Sequence, residues 1–185
     1  MGVSISLLFV RGPSVQETLS ELQLTMTADH HDEPPLRRGT FAMASLPSGF
    51  HVIWSNTCDE PRFTKPMLAK LSVSGEVALQ RLEEHVMFSH IEYWRGGAPQ
   101  WSVSHSGEFD HKDLKSEGQP PHLFDALRQE QTSRSDDGDF FDIPVQMSDQ
   151  LTGYRYDREY DWMNDNAFTR LGSTAPAKRP FWKFW

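Results

Sequence analysis

The chain has 185 residues, a formal net charge of -8, 37% hydrophobic and 12% aromatic content. A chain of this length buries roughly 70% of its unfolded surface on folding, and its aromatic content excludes disorder as the global state. The negative charge opposes non-specific nucleic-acid binding, which depends on Lys and Arg displacing counterions.

In chain order, Val3 to Val10 alternates apolar residues with Ser4 and Ser6 and reads as an opening strand. Met1-Gly2 with Ser6 also matches an N-myristoylation pattern, but this strand needs its own start there. Gly12-Pro13 ends it, and Ser14 with Glu17 has capping-box spacing that predicts a helix from Ser14 to Leu22. Asp29 to Pro35 is polar, ends in proline and reads as a surface loop. Thr40 to Leu46 and Phe50 to Ser55 read as a hairpin about Pro47-Ser48-Gly49, and Pro66 to Leu71 as a short helix. Val77 to Phe88 suits a helix or a strand, and we read it as a strand running into the next hairpin.

That hairpin, Ser89 to Ser106, turns at Gly96-Gly97-Ala98-Pro99. If the four-residue corner or its inner pair closes it, Trp94 faces Trp101, Glu92 faces Val103 and His90 faces His105, all on one side of the sheet. Leu123, Phe124 and Leu127 then predict a helix opened by Gly118 to Pro121 and ended by the polar stretch Gln129 to Asp139. Phe140 to Pro144 reads as a short buried strand, followed by an amphipathic turn through Val145, Met147 and Leu151 to Gly153. The expected class is α+β, with a mainly antiparallel sheet of about five to six strands and helices on one face. One domain is expected over residues 1–172, with a proline-containing aromatic tail over 173–185 ending in Phe181-Trp182-Lys183-Phe184-Trp185.

The single Cys58 cannot form an intrachain disulfide, and no apolar run reaches the length of a membrane span or sits behind the cationic stretch of a signal peptide. A cytoplasmic protein is expected. Motifs for chemistry are sparse. His90, His105 and Glu92 on one sheet face would suit a zinc ion or a proton exchange, yet no HExxH, HxH or Cys-linked spacing accompanies them. The clusters His30-His31 with Asp29 and Asp32, and His111 with Asp110 and Asp113, read as solvated turns. Asp59 and Glu60 beside Cys58 would raise rather than lower a thiol pKa. Neither G-x-S-x-G nor a glycine-rich phosphate cradle occurs, so no cofactor is expected.

The strongest functional signal is acidic and aromatic: Asp136, Asp137, Asp139 and Asp142, then Tyr154, Tyr156, Asp157, Glu159, Tyr160, Asp161 and Trp162. Interleaved carboxylates and aromatic rings suit an interface with a basic protein, the rings supplying affinity and the charges on-rate and register. The alternative is a solvated acidic loop beside ordinary core aromatics.

Two stretches, Trp94 to Pro121 and Phe140 to Asp157, with Trp-x-Val-x-His and Phe-Asp-Ile-Pro-Val followed by Leu-Thr-Gly, resemble segments of small bacterial proteins of the immunity or accessory type found beside polymorphic toxins. The resemblance implies a cytosolic stand-alone domain and carries over no catalytic residue. The expectation is a non-enzymatic binding domain that occludes a basic toxin or effector domain. Its alternatives are an enzyme built on His90, His105 and Glu92, and a scaffold protein assembling through the aromatic tail.

Overall fold

The computed structural model describes residues 2–34, 37, 39–108, 110–134, 138–164 and 166–174. Nine strands of these residues form one antiparallel sheet. They are β1 (Ser4–Arg11), β2 (Leu24–His31), β3 (Phe41–Ser45), β4 (His51–Ser55), β5 (Glu76–Glu83), β6 (Phe88–Arg95), β7 (Ala98–Ser106), β8 (Leu114–Gly118) and β9 (Phe168–Ser173), in the spatial order β2-β9-β3-β4-β1-β5-β6-β7-β8. The helices are α1 (Val15–Glu21), α2 (Lys65–Leu71), α3 (Leu123–Ser133) and α4 (Asp142–Thr152). The class is α+β as expected, with a larger sheet.

Helices cover both faces of that sheet, not one. On β1, Ile5, Leu7 and Phe9 enter the core shared with α3 and α4, while Leu8 and Val10 enter the core shared with α1 and α2. A strand buried on both sides has no polar face to alternate with, which is why Leu7-Leu8-Phe9-Val10 reads as an unbroken apolar run. Local signals fix the small helices: Ser14 and Glu17 complete the capping box of α1, and Thr64 caps α2 with Pro66 in its first turn.

The polar segment Asp29 to Pro35 departs from its loop reading only at its start, where Asp29, His30 and His31 continue β2 at the sheet edge; Asp32 to Pro34 lie outside any strand, and Pro35 is outside the described residues. An edge strand with both faces mostly exposed carries no apolar alternation, and β8 escapes notice for the same reason. Phe140 to Pro144 is a helix start: both Phe rings are buried, α4 begins at Asp142, and Pro144 sits in the first turn, where no N–H partner is required. Before it, α3 runs to Ser133, and buried Gln131 accepts a hydrogen bond from the Asp139 N–H at 2.9 Å.

The β6–β7 hairpin differs by one residue of register. Gly96 and Gly97 both hold positive φ (62° and 79°), so the turn closes on this pair, Trp94 faces Pro99, and a bulge at Gln100 follows. Beyond the bulge Tyr93 faces Trp101, His90 faces Ser104 and His105 faces Ser89. Slipping one residue moves a whole strand face to the other side of the sheet. His90 and His105 therefore point to opposite faces, and the expected pairs Trp94/Trp101, Glu92/Val103 and His90/His105 do not form. Of the tail predicted from residue 173, Ser173 ends β9 and the Thr174 N–H donates to the Gln23 carbonyl; residues 175–185, with the whole aromatic cluster, lie outside the described residues.

Candidate functional site

The α3 and α4 layer is where the molecule's charge concentrates. Between Leu123 and Met163 the sequence holds ten carboxylates and four arginines and no lysine, a net charge of -6 out of the whole chain's -8. Asp136 and Asp137 lie outside the described residues. Asp139 is structural in part, its carboxylate accepting the Asp142 N–H at the start of α4. Asp142 and Asp157 both pair with Arg155, each at 2.6 Å, and Asp149 pairs with Arg158 at 2.9 Å. Burial opposes the charge on Arg155, but the hydrogen bonds to Asp157 and Asp142 outweigh it and hold the guanidinium firmly protonated. Asp157, Glu159 and Asp161 are exposed.

The aromatic residues of this segment face inward. Tyr154 is 1% exposed and packs on Phe9, Tyr160 and Trp162, with ring centroids 6.3, 5.7 and 5.8 Å away. Trp162 reaches on to Phe168 of β9, and the Tyr160 hydroxyl accepts the Arg155 N–H at 2.8 Å. Tyr156 donates from its hydroxyl to Glu84 at 2.7 Å; burial and that carboxylate push its phenol pKa upward. Tyr154 is thus a core residue and not a contact anchor, while half-buried Tyr160 and Trp162 brace the loop that displays Asp157, Glu159 and Asp161. Arg155 and Arg158 escape a sequence search for acidic sites because their partners are fixed by tertiary contact.

On the opposite face, a groove of about 470 Å³ runs beside α2 across β6, β7 and β8, between Arg81, His90, Glu92, Ser102, Ser104 and Lys115. Glu92 is 7% exposed, accepts the indole N–H of Trp94 at 2.8 Å and lies 3.8 Å from Nε2 of His90, an ion-pair distance. Burial pushes its carboxyl up, but His90, the Trp94 N–H and the positive Arg81 outweigh this and hold it below the usual carboxylate range. His105 is absent from this groove. It sits 2% exposed against the edge of the Phe141 ring, its Nδ1 2.6 Å from the Asp113 carbonyl. The three residues of the metal alternative do not converge, and among the described residues no group of three or more His, Cys, Asp or Glu is placed to hold a metal ion. With the right register, the alternation Ser102, Val103, Ser104, His105 would have shown which side chains share the groove with His90.

The smaller clusters divide by surface. His30 bonds Thr169 across β2 and β9 at 3.1 Å, and His111 pairs with Asp110 at 3.1 Å. Burial, with help from Asp59 and Glu83, pushes the Cys58 thiol up to about 11, so it is not a thiolate at neutral pH. No helix of the described residues is long and apolar enough to cross a membrane. No protein-family model matches the sequence, and no curated protein or solved structure matches it.

Proposed function

We propose that the chain is a non-enzymatic protein-binding domain, of the immunity type, that occludes a basic toxin or effector domain through its α3 and α4 layer. The observation that carries this reading is charge segregation: a net -6 falls within residues 123–163, whose loop 154–163 is braced by a nest of aromatic rings. Fixed carboxylates on a rigid support accelerate encounter with a cationic surface and set its register, at little ordering cost on binding. The association expected is tight and weakened by salt.

The test compares three baits in extracts of the source cells: the unaltered chain, the triple variant Asp125→Lys, Glu159→Lys, Asp161→Lys, and the groove variant Lys65→Glu, Lys115→Glu. A basic protein held by the first and third baits, released by rising salt and lost from the triple variant, upholds the reading. Retention that ignores the triple variant, or recovery of no basic protein even at low salt, overturns it.

A further inference from the structure

Among the described residues four large apolar side chains are exposed, and two of them, Val86 and Met87, are neighbours, each 45% exposed. Val86 ends the 3-10 turn Glu84–Val86 that links β5 to β6, and Met87 caps it. Met87 holds a left-handed backbone (φ 50°), which an unbranched L-residue adopts at a cost and which Gly or Asn would fill more easily. The turn is nevertheless fixed. The Met87 N–H donates to the Glu84 carbonyl, the Gly107 N–H donates to the Met87 carbonyl at 3.0 Å, and Gly107 packs so closely on Met87 that a Cβ there would stand 2.7 Å from the Met87 Cβ. Below it, both carboxylate oxygens of Glu84 are engaged, one by the Val3 N–H and the other by the Tyr156 hydroxyl.

That last bond ties the turn to the acidic loop, where Asp157, itself paired with Arg155, follows Tyr156, and exposed Glu108 follows Gly107. An exposed pair of apolar side chains inside a polar, charged rim is the arrangement of an interface anchor and its surround. Strain kept at an exposed position where a less strained residue would serve points to use. Methionine suits it, because its flexible thioether adapts to a partner's pocket. We infer that the Val86 and Met87 turn, which contains Glu84 and is tied to the acidic loop through Tyr156, is the apolar anchor with which the acidic layer seats a basic protein partner. The inference rests on the binding function proposed above.

A benzophenone amino acid introduced in place of Met87 in the full chain provides the test, with the same probe in place of Val73, which is 69% exposed at the other end of β5, as its control. Illumination in source cells is expected to link a basic protein to position 87 and not to 73. Met87→Gly, which relieves the backbone, is expected to leave the midpoint of unfolding unchanged or higher while weakening that complex by about tenfold or more, the loss of a typical anchor. Equal linking from both positions, or a complex that tolerates Met87→Gly and Val86→Ser yet is lost with the triple charge reversal, overturns the anchor and leaves the binding function standing. Recovery of no basic protein overturns both.

Discussion

The two faces of the sheet are finished in opposite ways. On one, α3 and α4 press a continuous apolar core and an aromatic nest against β1, β5, β6 and β7, and the polar chemistry is pushed to the outside as carboxylates. On the other, two seven-residue helices cover a core that runs from β2 to β6, and beyond it the polar chemistry stays on the strands themselves, in the groove around Glu92 and His90. On the first face Glu130, Asp142, Asp149 and Asp157 pair with arginines while Asp125, Glu159 and Asp161 stay displayed, whereas charge on the second is largely spent inside the protein: Glu92 on Trp94 and His90, and Lys115 on Asp113. A binding surface needs the first arrangement, since charges already paired contribute little to a partner.

The comparison breaks most visibly at Tyr154, which should behave as a pillar and not as a contact. Tyr154→Ala removes a fully buried ring and is expected to lower the unfolding free energy by about 3–5 kcal/mol in urea denaturation. A change of a few tenths would return it to the surface. A smaller effect of opposite sign is expected beneath the same layer, where the side-chain amide of Gln80, 1% exposed, has no hydrogen-bond partner among the described residues for either of its polar atoms. Gln80→Leu keeps the volume and removes the unpaired amide, so stability should rise by about 1 kcal/mol. Unchanged or lower stability would mean that the amide is satisfied in solution.

Least affected should be Glu92→Gln on the groove face, and its signature is pH dependence. A carboxyl that titrates lower in the folded chain than in the unfolded one adds stability above the unfolded value and loses it as pH falls through the folded value. The gap between the unaltered chain and Glu92→Gln is therefore expected to be widest near neutral pH and to close in acid. A gap that widens in acid would reverse the direction assigned to this carboxyl.

Much of the scaffold was legible because its signals are local. Ser14 and Glu17 announce α1, the run Leu7 to Val10 announces a doubly buried strand, and Pro47-Ser48-Gly49 announces the β3–β4 hairpin. The edge strands β2 and β8 were not, since a strand with little to bury has no apolar rhythm. Nor was the hairpin register, because Gly96-Gly97 and Gly97-Ala98 are both acceptable turns, and the bulge at Gln100 is a tertiary decision that moved His105 away from His90. At the acidic segment the residue types were legible and their directions were not. Tyr154 and Trp162 look alike in sequence whether they face a partner or Phe9 and Phe168, and only the packing of α4 on the sheet decides it.

On the reading proposed above, the displayed carboxylates of the α3 and α4 layer bind a cationic protein. The most direct measurement is the affinity of the captured basic partner for the purified chain by isothermal titration at about 0.05 M and about 0.5 M salt, which lie on either side of effective screening at interface distances. The unaltered chain is expected to bind at least about tenfold more weakly at the higher salt, and Asp125→Lys, Glu159→Lys, Asp161→Lys to bind poorly at both. Equal affinity at the two salts, undisturbed by the three reversals, would contradict it.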